Sequence, residues 1–356
     1  MANTGSGLLD WLDRLDPGVH RRIKGLRLVT AFGIAAMAGR MPEVVNALDA
    51  GPSLSVLAGG FALWASVSEA RESRFDSGRD LLCLCIAAAA GAMVYVLLEP
   101  LLSSVSTFGP ELVLVTGAFC TGYLRRFGIL GTGLGSQIYI GQLLAYTSGL
   151  GPGDLWTIAL AGVIASVAAI VPRVLSGPSE KPALALPVPE VRVTGLPGMR
   201  PQLAMGLQAA TGALAIIGLT SLLGLQQPAW AITACTYVIA GSAAGTLDRV
   251  RRRIVGTAIG VPLGLICLPL AQEAPLLLWL AAALAMVIYA MALPERYDIA
   301  CGAFAFALVV TLAASGEHSV PLLFSRAWET VLGGVIGLLA ALSLLPLKPV
   351  RPQPIS

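Results

Sequence analysis

The stretch PQLAMGLQAATGALAIIGLTSLLGLQQPAWAITACTYVIAGSAAGTL, residues 201–247, contains no Asp, Glu, Lys or Arg. Only Gln226-Gln227-Pro228 interrupts its apolar run. A helix needs about 20 mostly apolar residues to cross a bilayer, and each side of the interruption supplies about that length. Proline has no amide N–H and halts a helix, so the break marks a turn between two spans, 201–222 and 227–245.

The rest of the chain follows suit. Of its 356 residues 56% are hydrophobic and 12% charged, and the mean hydropathy is +0.79. An ordinary soluble domain carries about 25% charged residues. With half that fraction a packed globule has too little polar surface for water, whereas lipid tolerates apolar side chains on the outside. Further spans are predicted at 26–45, 52–68, 80–98, 108–124, 127–147 and 155–174, and at 253–271, 275–293, 299–315 and 322–345. The first is short of clean sequence: Arg27 and Arg40 both fall inside it and must snorkel or face protein.

Basic residues orient the spans. Arg21, Arg22 and Lys24 precede the first; Arg71, Arg74 and Arg79 separate the second and third; Arg125 and Arg126 follow the fourth. Arg173, Lys181, Arg192 and Arg200 flank the centre, Arg249, Arg251, Arg252 and Arg253 separate the eighth and ninth, and Arg296 follows the tenth. The alternate loops carry mainly acids: Glu43, Asp49, Glu99, Glu111, Asp154, Glu273 and Glu317. The expected fold is an all-α polytopic membrane protein of about twelve transmembrane helices, with both termini in the cytoplasm. No cleavable signal peptide is expected, because Arg21, Arg22, Lys24 and Arg27 come before any apolar run.

Residues 176–200 hold five prolines and several charges, and read as a cytoplasmic linker between a first six-helix repeat, 1–175, and a second, 201–356. Trp156 precedes Gly162 as Trp328 precedes Gly334. Arg79 and Cys83 match Arg253 and Thr257, and Arg125-Arg126-Phe127 matches Glu295-Arg296-Tyr297. Six is even, so the repeats share orientation and a pseudo-two-fold axis along the membrane normal is expected. Substrate paths commonly lie between such repeats. The halves differ in charge: Asp154 stands where Arg326 stands, and Arg27 corresponds to Gln208.

The run Asp248-Arg249-Val250-Arg251-Arg252-Arg253-Ile254-Val255-Gly256-Thr257-Ala258-Ile259-Gly260, followed by Gly264, resembles the cytoplasmic-loop motif of the FUSC (fusaric acid resistance) superfamily. Arg326-Ala327-Trp328-Glu329-Thr330-Val331-Leu332-Gly333-Gly334, followed by Gly337 and Pro346, resembles its last membrane helix, and Arg296-Tyr297 also fits. In the first half Cys83 and Asp154 replace the expected Thr and Arg, and the large cytoplasmic domain of the aromatic-acid exporter branch is absent. The resemblance implies export of aromatic or other organic anions, and kinship to plant malate-channel folds.

Gly256, Gly260 and Gly264 recur every fourth residue, as do Gly333 and Gly337, a spacing that lets helix backbones approach closely in lipid. No strand or P-loop lysine accompanies them, so a phosphate-cradling loop is excluded. Arg326 and Glu329 share a helical face inside a span, where a charge costs at least about 2.5 kcal/mol and must be compensated. They read either as a structural ion pair or as a carboxylate ligand with its titrating partner; a planar guanidinium fork suits a carboxylate. Gln137, Tyr139 and Gln142 on the fifth span, Gln208 on the seventh and Tyr237 on the eighth are further intramembrane polar groups, with interhelical hydrogen bonding as the plainer reading. The expected substrate contacts are Arg326, Glu329, Gln137, Gln208, Tyr237, Arg27, Asp154 and Tyr297. Six scattered cysteines and two histidines form no metal or redox motif, so no metal, cofactor or catalytic constellation is expected.

The chain therefore reads as an inner-membrane transporter, in the export direction, for organic anions passing between two repeats. An anion channel and a non-transporting subunit that anchors a partner are the alternatives. The expected partners are the bilayer, a small organic anion and, as a candidate coupling ion, the proton; nucleic acid is not expected at a formal charge of +3.

Single cysteines at Asp49, Glu99 and Glu317 should react with an impermeant maleimide from the periplasm, and cysteines at Arg192 or Arg251 only from the cytoplasm. Labelling at Arg192 from outside would reverse the orientation.

Overall fold

Apolar runs fold as helices here because in lipid every backbone N–H must find a carbonyl within its own segment. A computed structural model describes residues 20–47, 51, 53–71, 73–176, 193–194, 199–316 and 320–349, without the side chains of residues 20, 47, 193–194, 272, 320–323, 326 and 348–349. Its long helices are α1 (His20–Ala38), α2 (Leu54–Ser68), α3 (Arg74–Ser103), α4 (Gly109–Tyr123), α5 (Gly128–Thr147) and α6 (Leu155–Leu175). Then come α7 (Pro201–Leu223), α8 (Pro228–Val238), α9 (Ala243–Ile266), α10 (Pro275–Ala292), α11 (Tyr297–Ala314) and α12 (Val320–Ser343). The strands among the described residues are β1 (Val193–Thr194) and β2 (Lys348–Pro349), a two-residue antiparallel ladder. The protein is an all-helical, multi-pass membrane protein: α3, α6 with the turn before it, α7, α10 and α11 are each long and apolar enough to cross a bilayer.

Several boundaries differ from the hydropathy reading. α1 stops at Ala38 rather than running to 45, since the ring of Pro42 would collide with the Ala38 carbonyl in a continuing helix. Arg27 is buried on α1 while Arg40, beyond its end, is exposed. α3 and α9 begin well before the predicted spans at 80 and 253, each behind a serine cap: Ser73 Oγ accepts the Asp76 amide and Ser242 Oγ the Gly245 amide. Arg249 to Arg252, expected in a loop, are therefore helical. α8 stops at Val238 instead of 245.

The packing of the first six helices recurs in the last six. α3 lies along α5 as α9 lies along α11; α2 packs on α6 as α8 on α12; α3 meets α6 as α9 meets α12; α4 meets α5 as α10 meets α11. Between the halves the contacts are reciprocal: α4 packs on α7, and α10 packs on α1. Each crossing has its own apolar core. Leu114 and Ala118 of α4 join Ala209, Ala213 and Ile216 of α7, and Leu28 of α1 joins Leu278, Ala282 and Met286 of α10.

Close approach depends on glycine. A Cβ at Gly256 or Gly260 of α9 would land on the carbonyl oxygens of Asp298 or Gly302 of α11, and one at Gly264 would lie 2.7 Å from the Val309 side chain. Likewise Gly333 of α12 faces the Ala231 carbonyl of α8, and Gly122 of α4 faces the Gly206 amide of α7.

Gly260→Val should force α9 from α11 and destabilise the protein by at least about 1–3 kcal/mol, the usual scale for overpacking. Gly218→Ala, where an added Cβ meets nothing within 4 Å, is the control and should leave the unfolding midpoint in detergent unchanged or slightly raised. Equal midpoints for the two variants would remove glycine packing as the basis of the α9–α11 contact.

Candidate functional site

The early end of α8 organises the polar chemistry between the halves. Ile239 continues in an extended conformation (φ −63°, ψ 119°), so its carbonyl is released from the helical ladder. Irregular backbone at membrane depth persists only where protein or a watered cavity satisfies it. Two arginines do so: Arg249 Nη1 donates to Ile239 O at 3.2 Å, and Arg125 Nη1 donates to the same oxygen at 3.5 Å. The Ala240 amide donates to the buried Thr246 hydroxyl at 3.0 Å. Arg125 comes from the 3-10 turn Leu124–Phe127 after α4, and Arg249 from α9, so the two halves meet at one carbonyl.

A third guanidinium stands one helical turn on. Arg253 Nη1 donates to Tyr297 Oη at 3.5 Å. Tyr237 Oη lies 2.8 Å from Ser136 Oγ of α5, and its ring meets Tyr139 edge-on at 5.9 Å between centroids. Tyr139 Oη in turn lies 2.8 Å from Thr233 Oγ1. The Nε atoms of Arg125 and Arg253 are closed off from solvent and have no hydrogen-bond partner. Among the described residues no carboxylate forms an ion pair with Arg125, Arg249 or Arg253. Burial, reinforced by the neighbouring Arg249 charge, lowers the Arg125 guanidinium from its ordinary value to about 10. Like charges crowded at low dielectric disfavour their ionised form, and a bound anion reverses that cost. Three guanidiniums thus stand near one another with no carboxylate paired to them among the described residues.

Room for this cluster has a backbone cause. In the first half α2 packs against α5, but the equivalent packing of α8 on α11 is marginal at most, because α8 has stopped short. Charge is also unequal between the repeats. The residue matching Arg125 is Glu295, which holds Arg21 in a bidentate pair at 2.7 and 2.6 Å. One inter-half seam is therefore neutralised and the other bare.

Of the expected contacts, Tyr237 and Tyr297 fall in this cluster; the others are dispersed. Glu329 is fully buried, and its Oε1 accepts the Gln226 and Gln227 amides at 3.1 Å each, which caps the entry to α8. The matching residue in the first half, Thr157, accepts the Gly51 amide at 3.1 Å. Gln208 donates to Leu344 O and Leu345 O at 2.8 and 3.2 Å, closing the end of α12. Arg27 does the same for α6 through Ser176 Oγ at 3.4 Å, and lies 3.8 Å from Glu69. Asp154 accepts the Gly151 amide at 3.0 Å in the turn before α6, and Gln137 donates to Ser68 Oγ at 3.0 Å. The side chain of Arg326 lies outside the described residues.

The reading from sequence missed Arg125, Arg249 and Arg253 as site residues, since a basic residue at a helix end is already explained by orientation. Arg249 and Arg253 stand in the quoted Asp248–Gly260 run, the signal that could have found them; Arg125 lies outside it.

Residues 214–340 match the family described as fusaric acid resistance protein-like, which bears out the resemblance drawn from the motifs over that stretch. The family is one of membrane transport proteins for small compounds. The matched stretch includes Tyr237, Arg249, Arg253 and Tyr297 and ends before Ser343. No curated protein and no solved structure matches the chain.

Glu329→Ala should strand two buried amides and cost roughly 1–3 kcal/mol for each, whereas Glu329→Gln keeps an acceptor oxygen and should lose less. Unfolding in detergent measures both. If Glu329→Ala is as stable as the parent, the carboxylate does not cap α8.

Proposed function

We propose that the protein moves small organic anions, carboxylates in the first instance, outward across the inner membrane along the seam between two six-helix repeats. Arg125, Arg249 and Arg253 supply the positive potential, and Ser136, Tyr237 and Tyr297 supply hydroxyl hydrogen bonds. One observation carries the reading: Arg125 and Arg249, one from each half, meet at the Ile239 carbonyl after α8, Arg253 stands one helical turn on, and among the described residues no carboxylate pairs with any of the three. Interrupted helices at a repeat interface are where transporters place their substrate sites. A guanidinium fork also binds a carboxylate through two parallel bonds, which fixes orientation as well as charge.

Twelve spans with cytoplasmic termini are part of the proposal. The basic loops support it, and so does the β1–β2 ladder, which joins the central segment to the tail and requires both on one side of the bilayer. The recurring helix contacts support a pseudo-two-fold axis along the membrane normal. Arg326, inside the twelfth span and near the predicted outer face, enters as a candidate second contact on the same path.

The test is uptake of radiolabelled benzoate into proteoliposomes. Arg253→Gln should lower the rate about 10- to 100-fold, the worth of a charged hydrogen bond at roughly 1.5–3 kcal/mol, and Arg253→Lys should recover only part of it. Monodispersity and thermal unfolding confirm folding of each variant. A well-folded Arg253→Gln that transports at the parental rate would overturn the assignment of the site.

A further inference from the structure

Facing Arg253 are Tyr297 and Cys301 from α11, Tyr289 from α10, Tyr237 from α8 and Tyr139 from α5, and Arg125 acts on Tyr237. Arg249 stands one turn away on α9 itself. The acids nearest in sequence are turned to other cations: Asp248 to Arg252 at 2.9 Å, Asp298 to Arg296 at 3.0 Å, and Glu295 to Arg21 at 2.6 Å. What surrounds the bound anion is thus arginine, tyrosine and one thiol. Guanidinium stays charged well above neutral pH, the lowered Arg125 included, while phenol and thiol ordinarily stay neutral below about pH 8.

We infer that the site carries a permanent positive charge and that transport is electrogenic uniport: the organic anion crosses as an anion, with no proton beside it. The inference rests on the proposed anion site and names its driving force. No group in the cluster takes up or releases a proton near neutral pH, so the site offers the substrate the same field before and after each crossing. An inside-negative potential then does the work. At about 2.3 kcal/mol per charge per 100 mV, it holds a singly charged anion at an outside-to-inside ratio of about 50. An outward-directed exporter of anions needs no second ion under that potential. A proton carried with the anion would cancel the charge and forfeit this drive.

The two couplings separate cleanly in proteoliposomes loaded with potassium and valinomycin. The probes are radiolabelled benzenesulfonate, which stays ionised and does not leak as a neutral acid, and benzoate. A tenfold inward potassium gradient, with pH equal on both sides, should drive benzenesulfonate to a final tenfold accumulation and raise the initial rate of benzoate uptake, whose final level is cut by leak of the neutral acid. A pH gradient with potassium equal on both sides should leave benzenesulfonate at unity. The initial rate for benzenesulfonate should be flat from pH 6 to 7.5. Arg253→His replaces the fixed charge by a titrating one, so its rate should fall as pH rises through that range, while the final accumulation stays tenfold. Accumulation that follows the pH gradient and ignores potassium overturns the inference and leaves the anion site standing. Absence of both protein-dependent uptake and probe-induced thermal stabilisation overturns the anion site, and the inference with it. A parental rate that varies steeply between pH 6 and 7.5 counts against the fixed charge.

Discussion

Two helices in lipid gain little from hiding apolar side chains against each other, because the lipid tails already cover them as well. What they gain is close van der Waals contact, and that depends on how near the backbones come. Gly256 and Gly260 bring α9 onto the backbone of α11, Gly333 brings α12 onto α8, and Gly122 brings α4 onto α7. The rest of the arrangement rests on these approaches. They set α9 beside α11, so that Arg253 reaches Tyr297, and they seat α4 on the second half, so that Arg125 reaches the Ile239 carbonyl.

Against that rigid frame, α8 is the exception. Its eleven residues make it shorter than a bilayer-spanning helix, and the missing turns are replaced by extended backbone whose carbonyl needs donors. Arginine provides them at the expense of bringing like charges together. A neutral donor such as asparagine would satisfy Ile239 O and avoid the repulsion, so the use of arginine here is the feature on which the proposed anion site rests.

How much of this was legible in the sequence depends on the kind of signal. Hydropathy locates helices because span length is fixed by the bilayer, and the glycine spacing correctly announces tight packing. Hydropathy cannot locate helix ends that project into water, which is why Arg74 and Arg249 were assigned to loops although serine caps start both helices earlier. Polar residues inside apolar runs were harder. Gln208 and Glu329 were natural substrate contacts by composition, yet they satisfy the end of α12 and the start of α8, a need that is visible only once the neighbouring helix end is in place. Arg253 erred the other way: the orientation rule explains any basic residue at a membrane edge, and so conceals one that turns inward. The break in α8 left a faint mark at Gly241-Ser242, too weak to outweigh the apolar residues around it.

The reciprocal crossing of α1 with α10 and of α4 with α7 also bears on biosynthesis. As the chain leaves the ribosome, α1 enters the bilayer with Leu28 and its neighbours turned toward a partner that has not been made. Five further helices and the whole start of the second half must be inserted before α10 arrives to cover that face. The first half is therefore an incomplete body during synthesis, lodged in lipid or against the insertion machinery. Quality control can read its uncovered seam as a sign that the chain is unfinished.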